Sequence, residues 1–149
     1  MQRMATVAEE AVEREIRVRA RPETVFAFWT DPAKIVRWMG RTARLDPRPG
    51  GEFRIEYSGS DVASGTYLEV DRPNRVVLTW GWEEAGDLTP PGASTVEVTF
   101  TADGDDTILR LRHSGLVPGA VAGHAEGWDH FLRALAAAAE APSAEANAG

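Results

Sequence analysis

Hydrophobic and polar positions change period several times along this chain. Over residues 12–20 they alternate: Val12, Arg14, Ile16, Val18 and Ala20 fall on one side, Glu13, Glu15, Arg17 and Arg19 on the other. A period of two belongs to an extended chain, whose successive side chains point to opposite faces. The charges on one side mark an edge or solvent-facing strand. At Pro22 the period lengthens. Proline starts a helix well, because its missing N–H costs nothing at the first position, and Val25, Phe26 and Trp29 then share a helical face. Asp31-Pro32 repeats the signal with an N-cap carboxylate. Ile35, Trp38 and Met39 share the next face, and Gly40 supplies a stop. Two short helices are predicted over 22–39.

Period two then returns. After the Pro49-Gly50-Gly51 turn, Phe53, Ile55 and Tyr57 alternate with Glu52, Arg54 and Glu56. Further strands are predicted over 62–70, over 76–82 with Val76, Leu78, Trp80 and Trp82 on one face, over 94–101, and over 107–113 with Thr107, Leu109, Leu111 and His113 on one face. Turns at 58–61, 72–74 and 103–105 separate them. Tyr67 is opposite in phase to Leu68 and Val70, so it is expected to point outward unless a bulge shifts the register. Residues 83–93 form a long polar loop. A final helix is predicted over 118–140, where Val121, Ala125, Trp128, Leu132, Leu135 and Ala139 make one stripe. Residues 1–11 read as a polar, flexible leader, 12–140 as a single domain, and 141–149 as a disordered tail.

The order is a strand, two short helices, about six strands and one long helix, which marks an α+β fold. An antiparallel sheet with one apolar face must cover it, and the long amphipathic helix is the available partner. The expected architecture is a curved sheet wrapped around that helix.

Composition narrows the functions. The 149 residues carry 16 basic and 23 acidic side chains, a net charge of −7. That balance argues against nucleic acid as a partner, because phosphate-backbone binders carry a basic face. The absence of cysteine excludes disulfides, thiolate metal sites and cysteine nucleophiles. No apolar run reaches the ~20 residues of a membrane span, so no membrane insertion is expected. With no secretory signal visible, a cytoplasmic location is the default expectation.

Several motifs resemble the START/Bet v-allergen-like (SRPBCC) superfamily, and within it the Hsp-90 ATPase activator-like family. They are Ala20-Arg21-Pro22-Glu23-Thr24-Val25-Phe26 at the first helix, Thr30-Asp31-Pro32 with Arg37-Trp38 at the second, and the Arg48-Pro49-Gly50-Gly51-Glu52-Phe53 turn. Residues 65–70 and 75–80 resemble the central strands, and His124-Ala125-Glu126-Gly127-Trp128 with Leu132 and Leu135 the terminal helix. Many members have two aromatics before the glycine where this chain has Trp38-Met39-Gly40. The resemblance implies a helix-grip fold with a ligand cavity. It spans ligand carriers, polyketide cyclase-like enzymes, self-resistance proteins and co-chaperone domains, because one fold hosts many activities.

A strongly curved sheet does not touch a straight helix along its whole length, so a gap is expected near one end. Trp38, Phe53, Ile55, Tyr57, Trp80, Trp82, Phe100, Leu111, His113, His124, Trp128 and Phe131 are the candidate ligand-binding residues. Taken singly, each of these aromatics is better explained by core filling; taken as a set, they favour a cavity. Tyr57 and His113 end apolar strand faces and carry polar tips able to hydrogen-bond a ligand. Gly123 and Gly127 each cost a helix about 1 kcal/mol against alanine, which a close approach to sheet, loop or ligand would explain. No catalytic constellation, metal set or cofactor motif is recognisable. A cyclase-like role would draw on His113, Tyr57, Glu69 or Asp129 as acid or base, and the 83–93 loop is a candidate lid. The leading expectation is binding of a small hydrophobic or aromatic molecule. A polyketide cyclase/aromatase-like or hydrolytic enzyme, and a co-chaperone-like interaction module, are the alternatives. Homodimerisation through the 12–20 edge is a further expectation, which its charges oppose.

Overall fold

The computed structural model describes residues 11–141. Of the leader (1–11) and tail (141–149) expected from the sequence, residues 1–10 and 142–149 lie outside the described residues, and Ala11 is the first residue of the first strand. In chain order the elements are β1 (Ala11–Val18), α1 (Pro22–Thr30), α2 (Pro32–Ile35), β2 (Thr42–Leu45), β3 (Glu52–Glu56), β4 (Val62–Asp71), β5 (Arg75–Trp82), β6 (Ser94–Asp103), β7 (Asp106–Ser114) and α3 (Pro118–Ala139). The strands form one antiparallel sheet in the order β1-β7-β6-β5-β4-β3-β2. Its apolar face wraps α3, as the α+β helix-grip expectation requires, and β1 lies at an edge.

The alternating strands fold as their period dictates. Along β7, Thr107, Leu109, Leu111 and His113 are buried while Arg110 and Arg112 face solvent. Those two arginines pair across the ladder with Glu15 and Glu13 of β1 at 2.9 and 3.0 Å. One strand escaped the pattern. The four residues of β2 alternate only weakly, because on this second edge Ala43 and Leu45 are merely half-buried.

The phase expected for β4 is overturned at its middle. The register shifts between Tyr67, opposite Leu78, and Glu69, opposite Val77, so Leu68 is the extra residue of a bulge. Tyr67 is therefore fully buried and Leu68 is 50% exposed. The inversion serves α1. The last carbonyls of a helix have no partner within it, and here two aromatic side chains cap them: the Tyr67 hydroxyl donates to the Trp29 carbonyl at 2.9 Å and the Trp38 indole N–H to the Phe28 carbonyl at 2.8 Å.

Helix α3 packs along β1 and α1. Its stripe of Trp128, Leu132, Leu135 and Ala139 is buried. Arg14 holds the same helix from β1 by an ion pair to Asp129 at 2.5 Å, and the backbone N–H of Arg19 donates to Glu140 at 2.8 Å. At ~1.5 Å per residue, 22 residues carry α3 beyond this anchored half towards the free end of β5.

Tyr67→Phe should lower unfolding free energy by about 1 kcal/mol or more, since it leaves the buried Trp29 carbonyl unpaired. Urea denaturation monitored by far-UV circular dichroism checks this.

Candidate functional site

The site begins where β5 outruns its neighbour. Pairing of β5 with β6 ends at Trp80 opposite Ser94. Beyond it, the Trp82 N–H donates to the Thr89 carbonyl at 2.7 Å, so the 83–93 loop folds back on the strand. Gly81 permits this close approach, because a Cβ there would collide with the Pro90 carbonyl. Within the loop the Asp87 carboxylate accepts from the Thr89 N–H at 2.9 Å. The loop is thus a pinned turn that carries Asp87 and Leu88 toward α3.

Between this loop, the end of β5 and the first half of α3 lies an open cleft of about 320 Å³. Trp80, Trp82, Trp128 and Phe131 form its aromatic walls, and His124, Asp87 and Leu88 its rim. Its remaining surface is Gly119, Ala120, Gly123 and Gly127 of α3. The glycines recur every four residues and so share one helix face. Close packing against protein does not account for them: a Cβ on Gly123 or Gly127 meets no atom within 4 Å, and one on Gly119 meets only Leu88 Cδ1, at 3.5 Å. The bare face leaves room.

A buried hydrogen-bond chain fixes the width of this opening. The Trp128 indole N–H donates to His113 Nδ1 at 3.0 Å. An indole N–H only donates, so Nδ1 accepts and the proton of the neutral ring sits on Nε2. Nε2 then donates to Ser94 Oγ at 2.8 Å, and Ser94 donates to the Trp80 carbonyl at 2.7 Å. Burial, and then the proximity of His124, hold the His113 pKa down at about 3. His124 is fixed in the opposite tautomer. Its Nε2 accepts from the Trp82 indole N–H at 3.1 Å, and its Nδ1 donates to the Ala120 carbonyl at 2.8 Å.

Of the sequence candidates, the structure brings Trp80, Trp82, His124, Trp128 and Phe131 together on the cleft. Tyr57 adjoins it, packed on Trp82 at 5.4 Å and Phe131 at 5.6 Å and lining a neighbouring pocket. Its hydroxyl is buried without a partner, and desolvation pushes its pKa up. His113 lies behind the wall with both ring nitrogens engaged. Trp38, Phe53, Ile55, Phe100 and Leu111 are buried in the core and line no part of the cleft. Trp38 instead packs on Trp29 at 4.8 Å. Asp129 and Glu69, named as acid–base candidates, are spent on ion pairs with Arg14 and Arg75. Sequence reading missed Asp87, Leu88, Gly119 and Ala120 as lining residues. Gly119 was detectable, since it extends the Gly123–Gly127 spacing by one turn. Among the described residues no group of three or more histidine or acidic side chains is placed to hold a metal, and no helix is long and apolar enough to cross a membrane.

Residues 19–140 match the family described as activator of Hsp90 ATPase homolog 1-like protein. A protein of this type from Rhizobium etli, solved in solution, is 41% identical and superposes with a TM-score of 0.71 over 89% of this chain and 83% of its own. An Hsp90 activator from Plasmodium falciparum is 26% identical, with a TM-score of 0.68 over 83% of this chain and 91% of its own. A Schizosaccharomyces pombe protein is 31% identical over 91 residues, 59% of this chain. The present chain spans about a quarter of that relative's length, since the match covers 24% of it.

Two outcomes follow. Gly123→Ala and Gly127→Ala should each raise stability by about 0.5–1 kcal/mol, because helix propensity improves and nothing is displaced; thermal unfolding measures it. For His113, the native ring binds a proton only near pH 3 while the unfolded ring does so at its ordinary 6.5. Between these values the unfolded state binds more protons, so the stabilisation is complete above about 6.5 and is lost as pH falls towards 3. His113→Gln should flatten this part of the acid limb relative to the parent in denaturation curves recorded across that window.

Proposed function

The chain belongs to the family of activator of Hsp90 ATPase homolog 1-like proteins, and from that premise we propose that it binds a small hydrophobic or aromatic molecule in the cleft between β5 and α3. One observation carries the reading: helical glycines face open space opposite a tryptophan wall. Glycine inside a helix is unfavourable, and here no protein contact offsets the cost. A flat ligand lying on bare backbone would. Concave sites with mostly apolar walls and a few polar groups are the usual make-up of small-molecule pockets. Each Å² of apolar area the ligand hides from water contributes ~25 cal/mol.

The alternatives draw less support. An acid–base enzyme in the cleft would depend on Tyr57, whose hydroxyl is buried beside it without a partner, and its raised pKa keeps the phenol protonated as a donor. Similarity to an Hsp90 activator supports a protein-docking reading. Docking favours a contiguous apolar patch, whereas Leu68 stands on the bulge of β4 and Leu88 belongs to the cleft rim.

Titration with neutral aromatics such as 1-naphthol and 2-hydroxynaphthoquinone should change tryptophan emission and raise the melting temperature. Gly127→Leu, which fills the cleft, should remove both responses while leaving the far-UV spectrum intact. Absence of any response in the parent protein, or an undiminished response in Gly127→Leu, would overturn the proposal.

A further inference from the structure

We infer that the cleft selects a cation, a protonated amine or quaternary ammonium on an aromatic or aliphatic body, over neutral and anionic molecules of the same shape. The inference rests on the small-molecule reading of the cleft and adds the chemical class of its ligand.

The walls supply the first argument. Trp80 and Trp82 stand at 89° with centroids 5.7 Å apart, and Trp80 and Trp128 at 50° and 5.5 Å. The rings therefore meet edge-to-face and tilted, not as a parallel stack. Tryptophan attracts an ammonium that comes over its ring, and Trp80, Trp82 and Trp128 all line the cleft.

Charge at the mouth supplies the second. Asp87 lines the cleft, and Asp61 and Glu84 line the adjoining pocket that shares Trp82, Asp87 and Phe131 with it. No lysine or arginine lines either space. Several carboxylates elsewhere on the surface are paired with arginine. Arg17 pairs with Asp103 and Asp106, Arg54 with Glu83, and Arg75 with Glu69 and Glu97. Among the described residues, Asp61, Glu84 and Asp87 enter no such ion pair. Three carboxylates without an ion pair thus stand where a ligand would enter, on a chain whose net charge is already −7.

Positive features are weaker. His124 Nε2 is occupied as the acceptor of the Trp82 indole N–H. The first turn of α3 contributes Gly119 and Ala120, but a helix N-terminus amounts to about half a charge and its influence fades within a turn. Three full carboxylates outweigh it, so an anionic head group would be repelled at the mouth and a cationic one drawn in.

Calorimetric titration at neutral pH with 1-naphthylmethylammonium, 1-naphthylmethanol and 1-naphthylacetate separates the cases. The ammonium should bind about tenfold more tightly than the alcohol, the acetate weakest of all, and added salt should narrow the gap. The double variant Asp87→Asn, Glu84→Gln should cut the ammonium-to-alcohol affinity ratio to about threefold. Glu23→Gln, remote on α1, should leave every affinity as it was. An alcohol that binds as tightly as the ammonium, or an ammonium advantage that survives the double variant, overturns the charge selection alone. If none of the three binds, the small-molecule reading fails and takes this inference with it.

Discussion

The structure depends on one buried contact between helix and sheet, the chain from Trp128 through His113 and Ser94 to the Trp80 carbonyl. Every donor in it has an acceptor, so four polar groups enter the core without the cost of unpaired burial. Because the Trp128 indole needs a lone pair and Ser94 Oγ needs a donor, only one tautomer of neutral His113 satisfies both. The chain joins α3 to β7, β6 and β5 at one point and sets their separation there.

From that point α3 has two unlike halves. On the C-terminal side Leu132, Leu135 and Ala139 are buried in the core, and Arg14 grips Asp129 from β1. On the N-terminal side the helix presents glycine and leaves the cleft. Trp128 stands at the junction, stacked on Trp29 at 6.0 Å on its core side and close to Trp80 at 5.5 Å on the other. One ring thereby serves both as packing and as wall, which is why core residues and lining residues are hard to separate by type.

Charge is divided as unevenly as volume. Arginine and carboxylate alternate across the strands on the outer sheet face, where Glu13–Arg112 and Glu15–Arg110 bridge β1 and β7. Exposed pairs of this kind contribute little stability each, but they leave that face locally neutral and occupy the edge strand. The acids near the cleft have no such partners. The contrast lies in placement, since the residue types are the same on both sides of the molecule.

The strand periods, the two proline-initiated helices and the apolar stripe of α3 were legible in the sequence, because burial on one face imposes a two- or 3.6-residue repeat that local residues must obey. Five of the twelve candidate site residues reach the cleft, and the sequence could not separate them from Phe53 or Leu111. Inward phase is common to core and wall, and only the distance between helix and strand tells them apart. Tyr67 and Leu68 exchanged faces because a one-residue bulge, answering the carbonyls of α1, overrode the local period. Asp87 and Leu88 became lining residues because Gly81 lets the Pro90 carbonyl close over β5. By itself, then, the amino-acid order determined the elements other than β2, their faces outside the β4 bulge, and the overall wrap. Tertiary structure decided where the wrap stays open, since an opening depends on distances between segments remote in the chain, and no local pattern encodes those.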